Sequence, residues 1–267
     1  MLKGMVSFVL LTAVGVVLAS GRALNGSSQD VVPELRNNQC VSCHSRLTEP
    51  VSLSNRYFEW HSSAHNRRGA GCEKCHGGDA SAKDKAIAHA GVLKKTQPGS
   101  RLHWKNLPET CNTCHQSVVS AFVGSRHYQH LKGSGLGPGC TACHEHMASQ
   151  VPQTPIQTAS LCAQCHATVN GLMPMNMEIL DRAENFMQAL NRANVAVAWA
   201  ESLFSVAENR KLDLRVERLE VAAARGALRE AKINWHAFDP DSSRRKADEA
   251  FNISLKLKDE LQKKLGY

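Results

Sequence analysis

Five short motifs in this chain combine two cysteines and a histidine in one fixed spacing, Cys-x-x-Cys-His, and together they contain all ten cysteines of its 267 residues. Two thiols on one helical turn can each add to a vinyl group of haem, and the histidine beside them can then bind the iron. The pattern therefore predicts five covalently bound c-type haems. The cysteines are Cys40, Cys43, Cys72, Cys75, Cys111, Cys114, Cys140, Cys143, Cys162 and Cys165. The histidines that follow them are His44, His76, His115, His144 and His166.

Structural zinc sites and disulfide bonds are the two other common uses of paired cysteines. Neither gives a reason for a histidine at the same offset after every pair. A chain of this length also has less need of disulfide cross-links than a small secreted domain has. The recurring histidine therefore favours haem over both alternatives.

Eight further histidines lie outside the motifs. Five haem irons would each have a second axial position, so these residues are candidate iron ligands. Two histidines on every iron would suit electron transfer, whereas an iron with an open position would suit chemistry on a substrate. The eight are His61, His65, His89, His103, His127, His130, His146 and His236.

An internal repeat surrounds four of the motifs. The order haem motif, aromatic-x-x-Ser-x-His, Gly-x-Gly, haem motif occurs twice, first with Trp60–His65 and then with Phe122–His127. The fifth motif lies beyond the second copy, after a linker at residues 151–158 that contains proline and threonine.

The elements that must position these residues differ along the chain. Residues 36–170 contain every motif, are rich in Gly, Ser, Pro and Asn, and show little sustained hydrophobic periodicity. With so little polypeptide for each haem, the buried porphyrin faces would replace a core of side chains. We predict a pentahaem domain over residues 36–170, in which short helices and loops wrap the haems.

The remaining part of the chain predicts long helices. From Met177 to about Asn209, apolar or small residues recur in steps of four and three, which indicates a helix about 50 Å long. Residues 213–236 carry two apolar stripes, which favours contacts on both sides of a second helix. Asp239-Pro240 should end it, and Asp241 or Ser242 should cap a third helix that reaches about Leu265.

The predicted fold class is thus mainly α. It consists of a haem-packed N-terminal region with little regular structure, followed by an antiparallel bundle of three long helices in a helical domain at residues 172–267.

Residues 1–23 predict a secretory signal peptide or an N-terminal anchor. Lys3 precedes an apolar run from Met5 to Ser20, which is slightly short for a spanning helix, so cleavage is the favoured alternative. Export to the periplasm suits c-type haem, because that haem is attached outside the cytoplasmic membrane. The net charge of +8 does not indicate a nucleic-acid partner, since about ten haem propionates would offset it.

Further segments next to the motifs carry a resemblance to a known group of proteins. They are Trp60–His65, Phe122–His127, Cys75-His-Gly-Gly-Asp79 with Ala88-His89 downstream, and Cys143-His-Glu-His146. Together with the five motifs, they resemble the multihaem c-type cytochromes that include the tetrahaem electron carrier of nitrifiers, hydroxylamine oxidoreductase and pentahaem nitrite reductase. The resemblance covers residues 36–250, and in the helical part it is one of character more than of motif.

The resemblance implies distal iron ligands of three kinds: a histidine after Ser-x, one after the Cys-His-Gly-Gly segment, and one just past a haem motif. In this chain those residues are His65, His127, His89 and His146. For the fifth iron we predict His236, the only histidine of the helical part, because similar cytochromes bring a late helix back against the haem cluster. His61, His103 and His130 stay open as alternatives.

Two functions follow from these expectations. The first is periplasmic electron transfer along five closely spaced haems, with a membrane quinol oxidase component or another cytochrome as partner. The helical bundle would pack against the haem cluster or form a homo-oligomer interface. No catalytic residue is assigned in this interpretation.

The alternative is a haem-dependent oxidoreductase with one open iron, acting on nitrite, hydroxylamine or tetrathionate. The sequence lacks the Cys-x-x-Cys-Lys attachment that the nitrite reductase resemblance would imply. None of its tyrosines, Tyr57, Tyr128 and Tyr267, has the context of the haem-crosslinked tyrosine of hydroxylamine oxidoreductase. Both departures favour the electron carrier. A subunit of an extracellular cytochrome filament is a third alternative.

Overall fold

Helices form the whole of the regular structure in the part of the chain that is described. The computed structural model describes residues 35–168, 173 and 175–266, and no strand occurs among them. The mainly α class is therefore confirmed. The signal peptide or anchor predicted at residues 1–23 lies outside the described residues.

Ten short helices precede three long ones within these ranges. The short helices are α1 (Gln39–His44), α2 (Val51–His61), α3 (Ala64–Arg67), α4 (Cys72–His76), α5 (Lys85–Ala88), α6 (Leu107–Asn112), α7 (Gln116–Val123), α8 (Arg126–Ser134), α9 (Cys140–His144) and α10 (Pro155–His166). A 3₁₀ turn, His146–Ala148, lies between α9 and α10. The long helices are α11 (Met177–Asn209), α12 (Arg215–His236) and α13 (Pro240–Leu265).

The three long helices pack side by side as a bundle. Arg182 near the start of α11 pairs with Asp241 near the start of α13, so these two helices run in the same direction. Glu208 near the end of α11 pairs with Arg218 near the start of α12 at 2.8 Å. Helix α12 therefore runs antiparallel to both neighbours, as an up-down-up bundle requires.

A continuous apolar core fills the bundle. Phe186 of α11 is fully buried and stacks on Trp235 of α12, with ring centres 4.5 Å apart. Towards the other end, Leu257 and Leu261 of α13 are also fully buried. Alanines occupy many of the remaining core positions, and their small side chains let the helices approach closely.

The start of α13 differs from our expectation. Asp239, not Asp241 or Ser242, is the N-cap, and its side chain accepts a hydrogen bond from the Ser242 backbone N–H at 3.0 Å. Pro240 takes the first helical position, where the missing N–H would have had no partner within the helix. The Asp-Pro pair therefore begins the third helix as well as ending the second.

The N-terminal short helices have much less apolar burial. Their one core cluster within the described residues consists of Leu35, Val41 and Trp60, with Tyr57 and Met147 against it. Helix α7 packs on α12 and α10 packs on α11, so the region contacts the bundle at two places. No helix in the described ranges combines the length and apolarity that crossing a membrane requires.

Candidate haem-binding sites

Four of the five motifs lie wholly within short helices. The first, second and fourth form α1, α4 and α9, and the fifth forms the end of α10. In the third motif Cys111 belongs to α6, whereas Cys114 and His115 form the turn that leads into α7. All ten thiols are free, so each is available for a thioether bond. A helix turn brings both thiols of a motif to one side, as haem attachment requires.

Thiols of consecutive motifs lie close enough to influence one another. Burial and the neighbouring charge of Cys40 raise the pKa of Cys72 to about 12. A hydrogen bond between Cys111 and Cys140 raises the pKa of Cys111. Two further pairs interact through their charges, Cys75 with Cys114 and Cys143 with Cys165. The five motifs therefore follow one another in space in their order along the chain.

Four motif histidines each face a second histidine at nearly the same distance. Two imidazoles that bind one metal ion from opposite sides, each through a bond of about 2 Å, place their ring centres about 6 Å apart. The observed distances between ring centres are 6.1 Å for His44 and His89, 6.1 Å for His115 and His65, 6.1 Å for His166 and His127, and 6.0 Å for His144 and His236.

The fifth motif histidine, His76, has no such ring contact with another histidine among the described residues. Burial lowers the pKa of His76, and the charges of His44 and His146 lower it further. Four of the five predicted distal histidines thus lie beside a different motif histidine, and His146 is the one left for His76. The rings are arranged in pairs: within the described ranges, no group of three or more His, Cys, Asp or Glu side chains is placed to hold a metal ion. Iron binding by these pairs stays a prediction.

Burial lowers the pKa of several of the paired histidines. Burial lowers the pKa of His127 to about 4, and the charges of His166 and His130 act in the same direction. Burial also lowers the pKa of His65 and of His236. Neutral imidazole is the form that binds a metal, so these rings are ready to act as ligands at neutral pH.

Two of the three alternative histidines have other neighbours, whereas the charge of His130 acts on His127. The ring of His61 stacks on Tyr57, with ring centres 5.8 Å apart, and the ring of His103 lies 5.3 Å from that of Trp104. Neither ring pairs with a motif histidine among the contacts of the described residues. The structure thus separates them from the five paired histidines.

The repeated Ser-x-His element has a physical basis in helix capping. Ser63 is the N-cap of α3 and accepts a hydrogen bond from the Asn66 backbone N–H at 3.4 Å. Ser125 is the N-cap of α8 and accepts one from the Tyr128 backbone N–H at 3.1 Å. In both copies the distal histidine is therefore the second residue of a capped helix, which fixes its direction.

The aromatic and glycine residues of the repeat hold these helices in place. Trp60 is buried and donates its indole N–H to the Ala70 carbonyl at 2.9 Å, and Phe122 is also buried. A Cβ at Gly137 would lie 2.1 Å from the His127 carbonyl oxygen. Only glycine therefore lets the chain before the fourth motif pass this close to His127, a predicted distal ligand.

Another glycine positions His89. Gly78 has φ +85°, and a Cβ there would lie 2.4 Å from the Ala88 carbonyl oxygen. That carbonyl accepts a hydrogen bond from the Asp79 backbone N–H at 3.0 Å. The Cys-His-Gly-Gly segment therefore packs closely against the backbone at Ala88, and His89 is the next residue.

The Nδ1 atoms of four paired histidines have hydrogen-bond partners that leave Nε2 free to face a metal. A carbonyl can only accept, so the histidine must donate from Nδ1. The backbone acceptors are the carbonyls of Lys85 for His89 at 2.8 Å, Lys232 for His236 at 2.7 Å and Gln150 for His144 at 3.0 Å. His146 differs, because its Nδ1 lies 2.9 Å from the carboxylate of Glu59.

Sequence reasoning did not single out Glu59. Its carboxylate also accepts hydrogen bonds from Arg56 at 3.1 Å. Burial raises the pKa of the Glu59 carboxyl, but the hydrogen bonds from Arg56 and His146 outweigh that effect and the net pKa is lowered. Glu59 is therefore ionised at neutral pH, with His146 as one of its two partners.

The chain matches one protein family and is similar to two known cytochromes. The family model described as cytochrome c554 and c-prime matches residues 19–77 and 110–187, which contain all five motifs. The chain is 30% identical over 155 residues to the C-type polyheme cytochrome OmcB of Geobacter sulfurreducens, which is 54% of this chain and 18% of that protein. It is 27% identical over 128 residues to OmcC of the same species, 45% of this chain and 16% of that protein. The chain thus matches less than a fifth of the length of these relatives. No solved structure matches it significantly.

Proposed function

Because the chain belongs to the cytochrome c554 and c-prime family, we propose that it is a periplasmic electron-transfer protein with five covalently bound haems. It is a multihaem c-type cytochrome, and the observation that carries the electron-transfer proposal is the set of four histidine pairs with ring centres 6.0–6.1 Å apart. His76 and His146 would form the fifth pair. A pair of histidines closes both axial positions of an iron, so the bound group changes its coordination little when an electron arrives. Residues 36–170 form the pentahaem domain in this proposal, and residues 172–267 the helical domain.

The chain's own residues fit such haems. The ten motif cysteines would form the thioether bonds. The proposed axial pairs are His44 with His89, His76 with His146, His115 with His65, His144 with His236 and His166 with His127. When bound, haem supplies one-electron oxidation and reduction of its iron. The capped helices and the Nδ1 hydrogen bonds would orient the ligands.

The arrangement of neighbouring sites supports transfer along the whole set. The charges of His44 and His76 interact, which connects the first two sites. The charges of His65 and His144 interact in the same way, which connects the third and fourth sites. The interactions of Cys75 with Cys114 and of Cys143 with Cys165 connect the second site with the third and the fourth with the fifth. An electron that enters at one end can thus reach the other by short steps.

We propose redox proteins as partners, either a membrane quinol oxidase component or another cytochrome. Such proteins would meet the chain at exposed haem edges of residues 36–170. The family's covalent haem attachment supports an extracytoplasmic location, with residues 1–23 as signal peptide or anchor. The long helices would support the haem cluster, and a homo-oligomer would use their outer faces.

Intact-mass spectrometry and electron paramagnetic resonance of the holoprotein test this proposal together. We expect a mass increase of five haems and five low-spin ferric signals without a high-spin component. A smaller haem count would contradict the assignment of the motifs. One high-spin iron that binds cyanide, nitrite or hydroxylamine would instead support the oxidoreductase alternative.

A further inference from the structure

The hydrogen bond between His146 and Glu59 distinguishes its site from the two other sites in which a histidine Nδ1 has a hydrogen-bond partner. The Nδ1 atoms of His89, His144 and His236 donate to neutral backbone carbonyls. That of His146 instead meets an ionised carboxylate at 2.9 Å. A carboxylate attracts the ring proton more strongly than a carbonyl does, so it leaves more electron density on the opposite nitrogen.

The contact joins distant parts of the chain through a strained backbone. Glu59 lies near the end of α2, and His146 begins the 3₁₀ turn that follows the fourth motif. Three non-glycine residues around it have positive φ: Glu145 (59°), Met147 (59°) and Ala148 (50°). Such conformations are unfavourable for residues other than glycine and persist only where surrounding contacts impose them.

Two of those surrounding contacts are visible. Met147 packs against the cluster of Leu35, Val41 and Trp60, which anchors the turn from one side. The hydrogen bond of His146 to Glu59 anchors it from the other, at a separation of 87 residues along the chain. The strained turn thus holds His146 beside Glu59.

Arg56 holds the carboxylate in position for this contact. Its guanidinium lies 3.1 Å from both oxygens of Glu59, one turn earlier on the same helix. Both carboxylate oxygens thus contact Arg56, and one of them also faces the ring of His146.

From this geometry we propose that Glu59 is a positioning residue: it fixes the ring of His146 and strengthens that ring as an iron ligand, which lowers the reduction potential of the haem attached at Cys72 and Cys75. A more strongly donating imidazole stabilises ferric iron more than ferrous iron. The inference rests on the proposed function, since it requires His146 to be an axial ligand. In this proposal a carboxylate, and not a backbone carbonyl, tunes the potential of the second haem through the Nδ1 of its distal ligand.

Glu59→Gln tests the proposal, because glutamine keeps the size and an acceptor oxygen but removes the charge. We expect one of the five midpoint potentials in a spectroelectrochemical titration to shift to a more positive value. One low-spin resonance signal should change its g values, since they report the strength and orientation of the ligand ring. The other four potentials and signals should stay as in the wild type.

Glu73→Gln is the matched control. Glu73 lies inside the second motif, and its carboxylate accepts a hydrogen bond from Asn38 at 2.8 Å instead of from a histidine. This variant removes the same charge close to the same haem, so it measures the effect of charge acting through space. The proposal requires a larger shift in Glu59→Gln than in Glu73→Gln, and changed g values only in Glu59→Gln.

Equal shifts with unchanged g values in both variants would overturn the inference. The wild-type sample separates this result from a failure of the proposed function. Five low-spin haems in the wild type, with no specific effect of Glu59→Gln, would leave electron transfer standing and remove only the role of Glu59. Fewer than five low-spin haems in the wild type would refute the five-pair assignment itself.

Discussion

The haem-binding region and the helical bundle differ in how much apolar side-chain surface they bury. In α11, α12 and α13, side chains such as Phe186 and Leu257 fill the interior by themselves. In the short helices before them, the described residues form one small apolar cluster around Trp60, and the helices are arranged around histidine pairs. One chain thus combines a helical bundle with a complete core of apolar side chains and a region whose core would be the haem groups it binds.

The same contrast is visible in the helices themselves. Helix α11 has 33 residues, whereas α3 and α5 have four each. A helix of one turn is unstable in isolation, because nucleation fixes several residues for one hydrogen bond. The short helices therefore depend on side-chain caps and on the ligands they present. Four predictions test this difference between the two regions, in order of their expected effect on the fold.

Production of the chain without haem attachment should unfold one region and leave the other. We expect residues 177–265 to keep slow amide hydrogen exchange, because their core is complete without haem. Residues 39–166 should lose most of their protection, since little apolar side-chain burial supports them. Hydrogen exchange with mass-spectrometric readout compares the two regions in one sample. Equal protection of both regions would refute the difference described above.

Substitution in the core of the bundle should destabilise it as it would an ordinary helical domain. Leu257 is fully buried, so Leu257→Ala should lower the free energy of unfolding by about 2–5 kcal/mol. Leu219→Ala is the control, because that side chain is 72% exposed and should change stability by at most about 0.5 kcal/mol. Urea denaturation followed by far-ultraviolet circular dichroism measures both. Similar losses in the two variants would mean that the outer face of α12 is covered in solution.

Relief of backbone strain should stabilise the haem-binding region. Glu145 has φ 59° and ψ −167°, a conformation that glycine adopts easily, and Gly77 takes nearly the same angles after the second motif. Glu145→Gly should therefore raise the stability of the holoprotein by about 1–3 kcal/mol. Gly77→Ala should lower it by a similar amount. Thermal unfolding followed at the haem absorption band measures both, and a destabilised Glu145→Gly would show that the glutamate side chain makes an essential contact.

Removal of one ligand should change a single iron and leave the fold intact. His236→Ala should convert one low-spin haem to high-spin, and the lost resonance signal should be the type produced by near-parallel rings, since His144 and His236 are tilted by only 6°. His103→Ala is the matched control and should leave the ferric spectrum as in the wild type. If His236→Ala also left the spectrum unchanged, His236 would not be a ligand and the bundle would have no direct part in haem binding.

The bundle could be predicted from the sequence because its apolar residues recur with the period of an α-helix. The apolar stripe from Met177 to Asn209 gave the bounds that α11 has in the structure, and the ends of α12 and α13 near His236 and Leu265 followed from the same reasoning. The N-cap of α13 was wrong by a few residues, because Asp239-Pro240 can both end and begin a helix. The bounds of the short helices could not be predicted, since one turn contains no period to detect.

The site residues could be predicted by type and spacing, but their pairing could not. The cysteines and the ten histidines are marked in the sequence by motifs, by a resemblance and by the position of His236. Which histidine faces which depends on tertiary contacts between residues such as His65 and His115. Glu59 carried no signal at all, because an arginine three residues before a glutamate is an ordinary surface ion pair on a helix. Only the position of His146 gives that carboxylate a special neighbour.

The contact between His144 and His236 also has a consequence for how the protein is made. The two residues are far apart along the chain, and one lies in the fourth motif while the other ends α12. If the two residues bind one iron as proposed, the fourth motif would emerge first during synthesis and export, and its haem would be attached before its second ligand arrived. Completion of that site would then follow the arrival and folding of the rest of the chain. The bundle would thus act as a checkpoint in biogenesis, because the last haem to become coordinatively closed waits for it.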